Sequence, residues 1–379
     1  MPARYRFLSV EMRDALGKVA PGTPLRAGIE RIVRSKAGAL LVVHDGPDVL
    51  AICSGGFLVD APFSPQRLSE LAKMDGAIIL SANCERIARA NVHLVPDPTV
   101  PTVETGTRHR TAERVARSLN VPVISASEEM GVINLYAGGA KHQLQDVSRL
   151  LDRANQALQT LERYKVRMED ALVNLTSAEL EEAASLRDVA AVVQRGEMVN
   201  RIAEELETMI IELGIDARLL RLQLDEIYGD IDNELELVVG DYLPAGRSAA
   251  DTLAEMAKLS DDEVLDLRTA ASTLHREADP NDLDQDVTPK GLRLLNRVHH
   301  LSDDSATKIA NHFGGLSRLQ RATAADLMAV EGVDDVRRLD QGNAPTRHRI
   351  RHPRSIQLSG TSRHADVRMS AVETGLAES

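Results

Sequence analysis

Over the first 145 positions, apolar residues fall alternately into short continuous runs and into spacings of three and four, which predicts an α/β domain. Ser9–Val19 and Pro24–Lys36 read as helices, the second with Thr23 as its cap and Pro24 in its first turn. Ala39–Val43 and Val49–Ile52 read as strands about an Asp45-Gly46-Pro47 turn. Ser64-Pro65 opens another helix, ending near Met74. Ala77–Leu80 and Ile87–Val95 are strands joined by the polar turn Ser81–Glu85, and Pro96, Pro98 and Pro101 enforce an extended loop. A helix Arg108–Asn120 with Thr107 as N-cap follows, then strands Pro122–Ser125 and Val132–Tyr136 and a Gly138-Gly139 turn. The expected sheet is mixed or rich in antiparallel pairs.

From Asp146 the pattern becomes almost purely helical. Val147, Leu150, Leu151, Ala154, Leu158, Leu161, Met168, Leu172 and Leu175 form one apolar stripe. Thr176 with Glu179 reads as a capping box for a second long helix, and Gly214, Gly229 and Pro244-Ala245-Gly246 punctuate later ones. An all-α spine or oligomerisation element over 146–275 is the plain reading, followed by an Asp-rich linker over 276–287. Leu292–Val298, a helix after Ser302, the Gly314-Gly315 stop and Thr323-Ala324-Ala325-Asp326 then outline a small all-α domain over 288–339. The spacing of Leu327, Val330, Gly332 and Val333 matches a helix-hairpin-helix, whose tight turn points backbone N–H groups at a DNA phosphate. Beyond Asp340 the apolar period vanishes, and 340–379 is expected to be a disordered tail.

Charge alters this picture in one place. The chain has 379 residues and a net charge of −12, but 141–275 alone carries −14, while 1–140 and 340–379 carry +2 each. Acidity therefore belongs to the spine, and DNA contact by the C-terminal part is not excluded. Cys53 and Cys84 show no metal-ligand spacing, which suits a reducing compartment. The charged N-terminus lacks a signal-peptide core, and the longest apolar runs are strand-sized, so a cytoplasmic protein without membrane contact is expected.

Two polar clusters carry the candidate chemistry: Asp75-Gly76-Ala77, and Gly106-Thr107-Arg108-His109-Arg110-Thr111. Arg108, His109 and Arg110 fall in the first turn of their helix, where cations oppose the positive end of the dipole. A bound polyphosphate resolves that conflict, so the cluster reads as a nucleotide triphosphate pocket. Two arginines flanking one turn can grip phosphate oxygens bidentately. Asp75 can hold a divalent metal that neutralises phosphate charge and lowers the pKa of a hydroxyl, although an Asp-Gly pair is also a common turn. Gly76 lets the backbone approach a base or ribose. His109 can be a hydrogen-bond donor, a metal ligand or a packing residue, and these stay open. Ser127-Glu128-Glu129 supplies either a second metal-side carboxylate or an exposed acidic turn. The chain has no G-x-x-x-x-G-K-[ST] loop and no G-x-G-x-x-G fingerprint, which excludes the common nucleotide folds.

Asp75-Gly76-Ala77, Asn91–Asp97 and Gly106–Arg114 closely resemble the diadenylate cyclase domain of the DisA family of bacterial DNA integrity scanning proteins. The resemblance extends through Arg153–Leu158, Leu161–Lys165, Leu186–Val189 and Leu220–Glu226 to about Leu339. It implies condensation of two ATP molecules into cyclic di-AMP and two pyrophosphates, with Mg²⁺ or Mn²⁺ as cofactor. Carried over by motif, Asp75 binds the metal and helps activate the ribose 3′-hydroxyl. Gly76, Ala77 and Leu94 line the adenosine side. Gly106, Thr107, Arg108, His109, Arg110 and Thr111 cradle the phosphates, with Ser127 and Glu128 nearby, and Gly332 and Val333 contact DNA. The resemblance further implies face-to-face cyclase domains in a homo-octamer, branched-DNA binding and association with the nucleoid. Asp334-Asp335 departs from the family's Gly-hydrophobic-Gly turn, and a charge there weakens DNA contact. The residues after Arg338 resemble nothing in the family, which fits an altered reading frame. The rival reading is a DNA-structure binding protein whose α/β domain senses nucleotide without catalysis.

Overall fold

The computed structural model describes residues 8–127, 131–244, 246–274, 282–298 and 301–330. The chain divides into two compact units, 1–162 with 201–228, and 163–200 with 229–379.

The first unit begins with two capped helices. Ser9 accepts a hydrogen bond from the Met12 N–H to start α1 (Val10–Val19), and Thr23 accepts from Arg26 to start α2 (Pro24–Arg34). Strand β1 (Ala39–Val43) follows. The segment expected as a strand at Val49–Ile52 is instead a short helix, α3 (Pro47–Ala51), with Gly46 as N-cap and Pro47 in the first turn. Only Val49 of α3 is buried, and four apolar residues in a row do not distinguish helix from strand. Two strands without a clear sequence signal come next, β2 (Cys53–Ser54) and β3 (Phe57–Pro62). Then follow α4 (Pro65–Leu71), β4 (Ala77–Leu80), β5 (Arg86–Leu94), α5 (Thr107–Leu119), β6 (Val123–Ala126), β7 (Ile133–Ala137) and β8 (Ala140–Gln143).

The strands form one mixed sheet in the order β2-β5-β4-β1-β6-β7-β8, with β3 also paired to β5. Among the described residues the β1–β4 ladder is parallel and every other ladder is antiparallel. All five residues of β1 are buried because helices cover both faces, which is why the strand reads as an unbroken apolar run. Leu41 and Val43 join Met12, Leu16, Ile29, Ile32 and Leu68 on one face. Leu40 and Val42 join Val49, Ala112, Val115 and Ala116 on the other, so α5 lies on that second face.

Two long helices follow, α6 (Val147–Leu180) and α7 (Leu186–Leu213), then α8 (Arg218–Tyr228) and α9 (Ile231–Tyr242). The expected capping box at Thr176 and Glu179 does not exist. Both residues lie inside α6, where the Thr176 hydroxyl donates to the Leu172 carbonyl at 2.7 Å. The start of α7 is capped by Ser185 and Asp188, whose side chains exchange bonds with each other's backbone N–H. Within the first unit, Glu212 of α7 accepts from the Gln145 N–H and contacts His142 Nε2 at 2.7 Å, holding the end of β8.

In the second unit, α10 (Ala249–Met256), α11 (Asp261–Leu265) and α12 (Leu267–Leu274) pack with α9 around Val238, Val239, Met256 and Leu274. Glu179 is buried there between the Tyr242 hydroxyl and the Arg293 guanidinium, both of which donate to it. Asp241 accepts from the backbone of Leu292 and Arg293, and burial pushes its carboxyl up to about 6. A small helical cluster closes the described chain: α13 (Leu292–Leu295), α14 (Asp303–Phe313), α15 (Leu316–Gln320) and α16 (Ala324–Met328). Leu295, Ala306, Ile309, Ala310 and Val330 form its core. Glu128, Gly332, Val333, Asp334 and the tail lie outside the described residues. No described helix is long and apolar enough to cross a membrane.

Candidate active site

One end of the sheet collects nearly every residue that the two motifs singled out. The parallel ladder pairs Leu40 with Ala77, so β1 and β4 begin side by side. Gly38 immediately precedes β1 and Asp75-Gly76 immediately precede β4, so both segments lie at this end of the sheet. Strand β6 is antiparallel to β1, with Ala39 opposite Ala126, so Ser127 emerges at the same end. Strand β5 is antiparallel to β4, with Ala77 opposite Val92, so Leu94 ends there too. The Arg108 guanidinium, coming from the start of α5, rests against the Gly38 backbone. Asp75, Gly76, Leu94, Ser127 and Arg108 thus converge although they span more than fifty positions of sequence.

Asp75 is exposed, and its carboxylate accepts a hydrogen bond from the Gly76 N–H at 3.0 Å. Gly76 has φ +105°, and a Cβ there would lie 2.9 Å from the Asn91 carbonyl carbon. What demands glycine at this position is therefore the backbone of β5 as well as the turn itself. Ala77 and Leu94 are buried in the core under α5, so they offer a ligand backbone rather than side-chain surface.

The start of α5 differs from the expected one. Gly106 is the N-cap and provides no side-chain bond, while Thr107 is the first helical residue. Arg108, His109 and Arg110 therefore occupy the second, third and fourth helical positions. The N–H groups of Thr107, Arg108 and His109 meet no acceptor among the described residues, which leaves the anion-attracting end of a helix open. The Thr111 hydroxyl donates back to the Thr107 carbonyl at 3.0 Å. Neither Arg108 nor Arg110 has a carboxylate partner among the described residues. Further along the same helix the arginines are committed. Arg114 donates to the Val100 carbonyl, and Arg117 donates to Pro101 and pairs with Glu113 at 2.8 Å. Glu113, buried, also accepts from the Thr102 hydroxyl and the Val103 N–H, so it pins the preceding loop onto α5.

His109 Nδ1 faces a polar patch on the sheet: Ser125 Oγ at 3.0 Å, Tyr136 Oη at 3.3 Å and Asn134 Nδ2 at 3.5 Å. Ser125 and Asn134 are cross-strand partners, and Tyr136 lies two residues along β7 on the same face. The Tyr136 hydroxyl also bonds Glu104, which pairs with Lys141 at 2.6 Å. Burial, and the nearby Lys141 and Arg108 cations, hold His109 below its ordinary pKa against the opposing pull of Glu104. Burial likewise pushes the Tyr136 phenol up, with Glu104 adding to it. The sequence clusters gave no hint of Gly38, Ser125, Asn134 or Tyr136, because the residues they meet lie many positions away along the chain.

Among the described residues, no group of three or more His, Cys, Asp or Glu side chains is arranged to hold a metal ion. A lone carboxylate suits Mg²⁺, which keeps waters and takes its remaining ligands from substrate phosphates. The opposite end of the sheet carries a cavity of about 840 Å³ lined by Asp45, Asp60, Ser81, Asn83, Glu85 and Arg86. There the Arg86 guanidinium is already held by Asp45, at 2.9 Å, and by Asp60.

Comparison with known proteins agrees with an α/β domain followed by long helices. Residues 26–141 match the family described as DisA bacterial checkpoint controller nucleotide-binding, and 144–282 match the DisA bacterial checkpoint controller linker region. The chain is 48% identical over 328 residues to the DNA integrity scanning protein DisA of Frankia alni, covering 86% of this chain and 91% of that one. It is 47% identical over 331 residues to the protein of the same name from Streptomyces coelicolor, covering 86% and 88% of the two chains. Against that of Kineococcus radiotolerans the identity is 46% over 329 residues, covering 86% and 92%. A nucleotide-binding α/β domain followed by the linker helices makes this chain a member of the DisA family.

Proposed function

We propose that the N-terminal domain is a diadenylate cyclase that condenses two ATP molecules into cyclic di-AMP and two pyrophosphates. One observation carries the reading: α5 starts without a side-chain cap and carries Arg108 and Arg110, neither with a carboxylate partner among the described residues, at the end of the sheet where Asp75 leads into β4. Each 3′-hydroxyl oxygen attacks the α-phosphorus of the other ATP. A 3′–5′ phosphodiester bond forms, and the bond from that phosphorus to the β-phosphate oxygen breaks. Pyrophosphate leaves with the electron pair, and the hydroxyl proton passes to solvent. Such a displacement asks the protein mainly for positioning and charge neutralisation. Arg108, Arg110 and the free N–H groups of α5 hold the phosphates, while the backbone at Gly76, Ala77 and Leu94 faces the nucleoside. Thr107, Thr111, Ser127 and Glu128 complete the cradle. Asp75 holds Mg²⁺ or Mn²⁺, which supplies charge neutralisation and an acidified hydroxyl. His109, anchored through Nδ1, keeps the first turn of α5 in place.

The product has twofold symmetry, so two sites face each other across an isologous interface and one protomer is half an enzyme. The helices after Val147 assemble the protomers, as an octamer in this proposal. The relatives' printed name, DNA integrity scanning, supports contact with DNA, and the proposal places that contact with branched DNA at Gly332 and Val333, weakened by Asp334. The deciding experiment incubates the full chain with ATP and Mg²⁺ or Mn²⁺ and separates the products. Cyclic di-AMP with two equivalents of pyrophosphate supports the proposal. Intact ATP together with tight binding to branched DNA in gel shifts would establish the nucleotide-sensing DNA binder instead.

A further inference from the structure

We infer that Gly38, which belongs to neither motif, is a positioning residue whose bare backbone seats the Arg108 guanidinium at the mouth of the nucleotide pocket. The inference rests on reading that pocket as a nucleotide site. A Cβ at position 38 would fall onto Arg108 Nη1, 2.7 Å from Cζ and 3.0 Å from Nη2. Gly38 is not among the glycines with left-handed backbone, so alanine fits the chain there without strain. The guanidinium is what excludes a side chain. The same guanidinium has no carboxylate partner among the described residues, so packing against a flat peptide sets its place where an ion pair otherwise would. Arg114 and Arg117 on the same helix are held by carbonyls and by Glu113. Seating a long, rotamer-rich side chain without neutralising it leaves its charge available to an arriving phosphate and its reach already fixed.

The test is a double-mutant cycle on the full chain, with Gly38→Ala, Arg108→Ala and both together, titrated with ATP and Mg²⁺ by calorimetry. Gly38→Ala is expected to weaken ATP about tenfold, with a melting temperature within about 2 °C of wild type because the displaced group is the flexible end of a side chain. In the Arg108→Ala background the same change is expected to move affinity less than about twofold, since the contact is already gone. Unchanged affinity in Gly38→Ala overturns the inference. So does an equal loss in both backgrounds, or a fall in melting temperature that persists without the guanidinium. The same four proteins titrated with inorganic tripolyphosphate separate this inference from the function on which it rests. A wild type that binds tripolyphosphate but not ATP removes the nucleotide reading and leaves the seat standing if Gly38→Ala weakens the anion. A wild type that binds neither removes both.

Discussion

The two ends of the N-terminal sheet use the same charged side chains to opposite purposes. At the end where β4 turns into β5, Arg86 lies between Asp45 and Asp60, and the Asn83 amide donates to Glu85. Every charge there has a partner within the fold, although that end carries a cavity of about 840 Å³. At the other end Asp75 holds little more than its neighbour's N–H, and Arg108 and Arg110 have no counter-charge among the described residues. Satisfied charges hold a turn together, whereas unsatisfied ones standing together are set for something that arrives. The cavity and the uncommitted arginines thus lie at opposite ends of the sheet, and the proposed function rests on the arginines.

The sharpest way to break this comparison is at Asp75. Asp75→Asn is expected to lower cyclic product formation by at least about 10²-fold while ATP affinity stays within about threefold, read by product chromatography and calorimetry. Glu85→Gln at the opposite end leaves both unchanged, and equal losses at the two carboxylates would erase the distinction. Next in size, Arg108→Ala combined with Arg110→Ala should raise the ATP dissociation constant about 10²-fold, as loss of two charge-assisted contacts implies.

A third expectation concerns pH. Burial holds the folded-state pKa of His109 below its ordinary value, so the folded protein binds fewer protons there than the unfolded chain. The resulting stability is complete above that ordinary value and is lost as pH falls through the lowered one. Melting temperature should therefore drop on acidification below it, and His109→Asn should flatten that part of the profile. An unaltered profile in the variant would show that the polar patch does not hold His109 neutral. Smallest of all, Arg86→Ala should shift melting by about 2 °C or less, because its pairs are exposed, and should leave ATP affinity untouched.

Much of the fold was legible because its signals are local. Ser9, Thr23, Ser64 and Ser302 cap the helices that follow them, and β1 and β4 read as strands because both of their faces are covered. Strand β3 was not legible. Phe57 and Leu58 are exposed, Asp60 takes φ +42°, and a bulge interrupts the pairing, so no alternation survives. The box at Thr176 and Glu179 was misread because Glu179 answers to Arg293, 114 residues away, rather than to its own helix. The same holds at the site. The residue types of the two motifs suggested an anion pocket, but Gly38 and Tyr136 reach Arg108 and His109 only through strand pairing.

The lone parallel ladder of the sheet has a consequence for folding fidelity. Because β1 and β4 run the same way, one alignment sets how the Gly38 seat of Arg108, just before β1, stands relative to Asp75, just before β4. Sliding either strand by a single residue would offset them by about 3.3 Å and invert which side chains face each helical layer. A protomer misaligned in this way would turn apolar side chains of β1 or β4 away from the layer that now buries them, losing interior packing together with the geometry of the sheet end.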